Sequence, residues 1–163
     1  MGYYTMRKVY MENVEIEKKY LVKKIPGDLN DYRYHEIEQA YLCTAPVVRV
    51  RKEDDSYYLT YKGKGVVKHA EYNLDLNKES YEHLRSKADG NIITKKRYLI
   101  PLEGTDLTAE LDIFEGSLAP LVIVEVEFPD DESSDSFVKP EWFGEEVTHD
   151  PAYRNASLAT KNI

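Results

Sequence analysis

The strongest constraint on this chain is a charge repeat with a period of two. The stretch Val14–Leu21, VEIEKKYL, sets Glu15, Glu17 and Lys19 two apart, with Ile16 and Tyr20 among the residues between. In a β-strand, residues i and i+2 share a face, so these charges stand on one side and the apolar residues on the other. The pattern returns along the chain. One face of each later segment carries Arg49 and Arg51; Thr60 and Lys62; Glu71, Asn73 and Asp75; Lys95 and Arg97; Glu110 and Asp112; Glu125 and Glu127. The opposite faces are apolar, with Val48 and Val50, Leu111 and Ile113, and Val122, Val124, Val126 and Phe128.

Segments rich in Val, Ile, Tyr and Thr predict strands at 12–22, 36–43, 46–53, 56–62, 70–76, 92–101, 107–115 and 120–129. The turn signals EDDS at 53–56, KGKG at 62–65, EGT at 103–105 and EGSLAP at 115–120 separate them. A helix is predicted over 77–89, capped by Asn77 and ended by Gly90, with shorter helical pieces near 27–33, at 139–145 and through 155–160. This is a mainly β chain with flanking helices (α+β). The expected architecture is one domain over 12–163, an eight-stranded antiparallel barrel. Residues 1–11, with Met1, Met6 and Met11 as alternative starts nearby, form an N-terminal extension to which no chemistry is assigned.

A half-buried sheet would turn its charged faces to bulk water. Two features oppose that arrangement. Acids dominate the first, fifth, seventh and eighth segments, and bases the third, fourth and sixth, whereas a solubilising surface mixes the signs. The basic segments also space arginines two apart, which suits forked recognition of phosphate or carboxylate oxygens. The charged faces are therefore expected to line a lumen. Burying so many charges requires pairing, hydration or a ligand. Clustered carboxylates suit Mg²⁺ or Mn²⁺, and Arg and Lys suit phosphate oxygens, so the expected occupant is a metal–polyphosphate complex.

The whole-chain properties agree. A net charge of −8 over 163 residues disfavours nucleic acid and anionic membranes as partners of the average surface. The single Cys43 excludes an internal disulfide framework and fits a reducing cytoplasm. No apolar run approaches the length of a membrane span. The expectation is a cytoplasmic protein acting on a small molecule, as a monomer or homodimer.

The residues also carry a resemblance. EIEKKYL resembles the Glu-x-Glu-x-Lys signature of the CYTH superfamily, the triphosphate tunnel metalloenzymes. VRVR (48–51), LTYKGKG (59–65), ITKKRYLIP (93–101), AELDIFEG (109–116) and VIVEVEF (122–128) follow in the family's order, and WFGEEVTHDPAYRNASLA (142–159) is similar to its C-terminal segment. The resemblance spans roughly 12–160. It implies an eight-stranded tunnel with a charged lumen, a requirement for Mg²⁺ or Mn²⁺, and hydrolysis of inorganic, nucleoside or thiamine triphosphate, or cyclisation of ATP. It implies metal ligation by Glu15, Glu17 and Glu127, with Glu125 beside them in the acidic cluster. It implies a triphosphate clamp of Lys19, Arg49, Arg51, Lys62, Lys95 and Arg97, with Glu71, Glu110 and Asp112 as supporting acids. Among the acids, Glu15, Glu17, Glu71, Asp112, Glu125 and Glu127, together with Lys19, are the residues expected to carry catalysis.

Some positions depart from the family pattern. The fifth strand often reads Arg-x-Glu-x-Glu; here His69 and Asn73 take the outer places. His149 stands where a small or acidic residue is common. His35, His69, His83 and His149 lack metal-ligand spacing and are expected to be ordinary loop residues rather than ligands. Trp142 and the tyrosines are expected to serve packing. The leading expectation is an inorganic triphosphatase, with nucleoside triphosphatase activity accompanying it. Thiamine triphosphatase, class IV adenylyl cyclase and a non-catalytic polyphosphate- or nucleotide-binding module are the alternatives. A metabolite-carrying barrel would need an apolar lumen, which the inward charges oppose.

Overall fold

The computed structural model describes residues 14–160. The extension expected at 1–11 lies outside the described residues. Among the described residues, nine strands form one antiparallel sheet: β1 (Val14–Val22), β2 (Arg33–Thr44), β3 (Val47–Glu53), β4 (Ser56–Lys62), β5 (Lys68–Leu76), β6 (Asp89–Pro101), β7 (Thr108–Phe114), β8 (Val122–Glu127) and β9 (Phe143–Glu146). The order is β5-β4-β3-β2-β6-β7-β8-β1-β9, and β1 also pairs with β5, so eight strands close into a barrel. Closure removes the exposed strand edges that an open sheet would carry.

β1 is the closing strand. Its edge from Glu17 to Leu21 pairs with β8, setting Glu17 opposite Glu127 and Lys19 opposite Glu125. Its other edge pairs with β5 over only Val14 to Ile16, with Glu15 opposite His69. Beyond that seam, β9 pairs with Tyr20 and Val22. Loops bridge the gap: Glu17 N donates to Val67 O at 2.9 Å, and Lys19 N donates to Thr148 Oγ1 at 3.0 Å.

The outer, apolar face is covered in two places. Ile16, Tyr20, Ile100, Leu111, Val124 and Val126 pack with Phe128 and Phe143 under the C-terminal segment. Ala40 and Val50 pack against Tyr81 of α1 (Lys78–Arg85). Each such fully buried large side chain contributes about 1.5–3 kcal/mol of transfer free energy. The inward face carries the alternating charges, with one addition. Toward one end of the lumen it turns apolar, where Tyr41, Ile93, Phe114 and Ile123 pack against Leu158 and Ala159 of α3 (Asn155–Thr160).

Two expected helices differ. The segment 139–145 is not helical: Phe143 N closes a turn on Pro140 O at 3.1 Å, and β9 follows. Gly144, which mimics a helix end in the sequence, instead lets β9 approach β1. A Cβ there would lie 3.0 Å from Leu21 O. The helix begun at Asn77 stops at Arg85. Gly90, at φ +71°, sits in β6 beneath α3, where a Cβ would lie 2.5 Å from Ala159 O. In both cases glycine marks a close backbone approach rather than a cap. The sequence pattern also missed a short helix, α2 (Asp131–Asp135), whose Ser133 N is capped by Asp130. The piece near 27–33 is a single 3₁₀ turn, Leu29–Asp31, and the helix through 155–160 forms as expected.

Candidate functional site

The inward charges assemble into three connected groups. The first is centred on Arg97, from β6. Its Nε and Nη2 donate to Asp112 at 2.7 Å each, its Nη1 to Glu110 at 2.6 Å and its Nη2 also to Glu125 at 3.1 Å. Lys95, fully buried one inward position along, donates to Asp112 at 2.5 Å. The register sets Arg97 directly opposite Asp112, so the strand pairing itself aligns the fork with its carboxylate. Burial pushes Asp112 up, but Arg97 and Lys95 outweigh it and hold the carboxyl below its usual range. Burial draws Lys95 down to about 7 despite Asp112.

The second group lies at the β1–β5 seam. Lys62 Nζ donates to Glu15 Oε2 at 2.9 Å and sits 3.0 Å from Glu71 Oε2. His69 Nε2 lies 2.6 Å from the same Glu15 oxygen. Burial pushes Glu15 up; burial also opposes ionisation of Glu71, but its hydrogen bonds and Lys62 outweigh that and bring it down, so the two carboxyls split as acids sharing one site do. His69 is therefore a buried strand residue inside the charged cluster, not the loop residue expected from its spacing.

The third group holds the β3 arginines. Arg51 Nε donates to Gln39 Oε1 at 3.0 Å and its Nη1 to Tyr58 Oη at 3.2 Å. Arg49 differs from the other guanidiniums. It is 4% exposed, its Nη2 donates to Thr60 Oγ1 at 3.2 Å, and its Nε has no hydrogen-bond partner among the described residues. A chain of hydrogen bonds leads on from Thr60 through Asn73 to Glu71.

A cavity of about 740 Å³ opens beside these groups, within the size range of small-molecule sites. Glu17, Lys19, Arg49, Lys62, His69 and Arg154 reach it. Lys19 is aimed by two contacts, Glu125 at 3.2 Å and the carbonyl of Tyr153 at 3.1 Å. Of the six expected clamp residues, Lys19, Arg49 and Lys62 line the cavity. Arg51, Lys95 and Arg97 are buried, each against an acid: Arg51 against Glu53, and the other two against Asp112. Gln39, Tyr58, Thr60 and Arg154 belong to the site and went unassigned in the sequence. The first three share inward strand parity with the charged residues, and the register sets Gln39 opposite Arg51. Arg154 is a loop residue with no periodic signal.

The acids outnumber their local cations near β1. Glu127 is pushed up to about 7 by partial burial and then by Glu15, Glu110, Glu71 and Glu17. One oxygen each from Glu15 and Glu71 and one nitrogen of His69 lie within 4.8 Å of one another. Carboxylates that repel one another are a donor set suited to a divalent cation, and Glu17 and His69 carry the cluster to the cavity, so these residues fit one.

The comparisons with known proteins agree with this geometry. The chain is 38% identical over 149 residues to an inorganic triphosphatase of Nitrosomonas europaea, covering 89% of this chain and 96% of that one. It is 37% identical over 150 residues to an inorganic triphosphatase of Acetivibrio thermocellus, covering 88% and 92%. The crystal structure of an inorganic triphosphatase superposes with a TM-score of 0.68 at 34% identity, covering 91% of this chain and 95% of that one. With the CYTH domain family matching residues 13–160, nearly the whole chain, this protein belongs to the CYTH domain family.

Proposed function

We propose that this protein hydrolyses inorganic triphosphate in the presence of a divalent cation, Mg²⁺ or Mn²⁺. The observation that carries the reading is Arg49: a buried guanidinium on the cavity wall with no ion pair among the described residues. A buried cation is costly without a counter-charge, and Lys19 and Lys62 reach the same cavity. A polyanion supplies the missing charge. The two curated relatives are both inorganic triphosphatases, which supports triphosphate as that polyanion.

Arg49, Lys19 and Lys62 would hold phosphate oxygens and stabilise charge that develops on the transferred and leaving groups. Arg97, Arg51 and Lys95 would set the electrostatics behind them, with Asp112 and Glu110 orienting Arg97. Glu125 would aim Lys19 and Arg97, and Glu71 would position Lys62. Glu15, Glu17 and Glu127 are the proposed metal ligands, with Glu125 beside them. A bound divalent ion would polarise a phosphoryl oxygen and acidify water. We also place the protein in the cytoplasm on the strength of its single free cysteine, and take it to act as a monomer or homodimer. No described helix is long and apolar enough to cross a membrane.

The test is a phosphate-release panel of triphosphate, pyrophosphate, ATP, GTP and thiamine triphosphate with Mg²⁺ and Mn²⁺, with ATP products checked for cyclic AMP. Fastest release from triphosphate, lost in Glu17→Ala and Glu127→Ala but kept in His149→Ala, is the expected result. Tight binding of triphosphate without turnover under either ion would make the protein a binding module instead.

A further inference from the structure

We propose that His69 is an imidazole ligand of the bound divalent cation, which makes the metal site a mixed carboxylate–imidazole site favouring borderline ions such as Co²⁺ and Zn²⁺ over Mg²⁺. The inference rests on the metal-dependent reading above and adds His69, with Glu71 beside it, to the donors named there.

Strand pairing places His69 directly opposite Glu15, on the inward face of β5 two residues before Glu71. Its ring is buried, with a relative exposure of 7%, and reaches the cavity beside Glu17. One oxygen from each of Glu15 and Glu71 and one imidazole nitrogen lie within 4.8 Å of one another. Two donors on one ion stand at most roughly 4 Å apart, about twice a metal–ligand bond, so small side-chain rotations seat all three.

Neutralising Glu15 does not require His69. Lys62 already contacts Glu15 at 2.9 Å and Glu71 at 3.0 Å. An imidazole adds what an ammonium cannot, a nitrogen lone pair. Oxygen-only sites suit Mg²⁺, whereas imidazole nitrogen raises affinity for Zn²⁺, Co²⁺ and Ni²⁺. Glu15, Glu71 and His69 would hold the cation in competition with Lys62, which contacts both carboxylates in the metal-free protein. Lys62 also lines the cavity, so once released it is free to contact an anionic ligand. The other histidines are placed elsewhere: His35 bonds Asp54, His83 lies in the last turn of α1 and His149 is exposed.

The full chain loaded with Mn²⁺, without substrate, tests this by pulsed electron paramagnetic resonance. A directly bound ¹⁴N coupling is expected, converting to a ¹⁵N pattern when the histidines are ¹⁵N-labelled. His69→Asn and His69→Arg should lose the coupling, and His149→Asn should keep it. The arginine variant keeps a hydrogen-bond donor against Glu15, so loss in a folded His69→Arg protein separates ligation from hydrogen bonding to Glu15. By calorimetry, His69→Asn should weaken Co²⁺ and Zn²⁺ binding about tenfold or more and Mg²⁺ binding less than about twofold. Absence of nitrogen coupling in the unmodified chain, or equal weakening of all three ions, overturns the assignment and leaves His69 as an orienting partner of Glu15. Nitrogen coupling in a protein that releases no phosphate from triphosphate would sink the proposed hydrolysis while leaving His69 a ligand.

Discussion

Arg49 and Arg97 are both buried arginines on inward-facing strand positions, yet they answer to different demands. Arg97 is satisfied within the fold by Asp112, Glu110 and Glu125. Arg97→Met therefore leaves Glu110 without a cation among the described residues and takes one of two cations from each of Asp112 and Glu125, which should cost about 3–5 kcal/mol in urea unfolding. Arg49 leaves no acid behind. Arg49→Met keeps the aliphatic stem and relieves a buried charge, so stability should stay within about 1 kcal/mol while kcat/KM for triphosphate falls about 100-fold or more. Equal stability losses in the two variants would contradict this division of labour. A carboxyl tells the same story through pH. Glu127, held at about 7 in the folded protein, prefers to be protonated there more than in the unfolded chain. The metal-free protein should therefore gain stability from this group as pH falls from above 7 to the ordinary carboxylate range near 4.5, with no further gain below. Glu127→Gln removes that gain and raises the melting temperature at pH 8. The wild-type minus variant difference in melting temperature against pH isolates it from acids such as Glu125, whose depressed pKa acts with opposite sign.

At the scale of elements, the strands were legible because each presents two chemically different faces at a period of two, and that signal survives without any tertiary information. The charges of β1, β3 and β6 did turn inward. What was not legible depends on contacts between distant segments. Gly144 and Gly90 carry the local signature of helix ends, but each is small because another backbone lies against it. His69 has no ligand spacing in sequence, since its neighbour Glu15 stands across the seam on another strand. The apolar end of the lumen was hidden for a related reason. Tyr41, Ile93, Phe114 and Ile123 share inward parity with charged residues, and only the position of α3 shows why they are apolar. That helix has two tasks. Leu158 and Ala159 seal the lumen, while Asn155, Ser157 and Thr160 face the cavity. Leu158→Ala should cost about 2–5 kcal/mol, read by chemical denaturation. Gly90→Ala should lift α3 from β6, because the new Cβ meets Ala159 O in a backbone conformation that alanine rarely adopts. Both variants should raise KM for triphosphate, since the carbonyl that aims Lys19 belongs to Tyr153, just before the helix. Destabilisation without any change in KM would show that α3 is only a plug.

For the whole molecule, closure of the barrel and occupancy of the site are linked. β1 meets β8 over five register pairs but meets β5 over only three, and the chain crosses the remaining gap by loop contacts. The narrow seam is where Glu15, Lys62, His69 and Glu71 gather. Without ligand, the ion pairs there must hold a short ladder together against the mutual repulsion of Glu15, Glu17 and Glu127. On the proposed function, a divalent cation held by the acids of β1 and β8 and a triphosphate held by the bases of β3 and β4 would tie the two sides of the seam. Ligand that binds only the closed barrel stabilises it by about 2.7 kcal/mol at a hundred times its dissociation constant. Hydrogen exchange should therefore show the amides of Val14–Ile16 and Lys68–Ala70 opening by a lower-energy route than the β6–β7 ladder in the free protein. Metal plus triphosphate should slow the seam amides more than those of β6 and β7, and metal alone should slow them less. Seam amides that exchange as slowly as β6 in the free protein, or that gain no protection with both ligands present, would separate closure from binding and leave the barrel a rigid container.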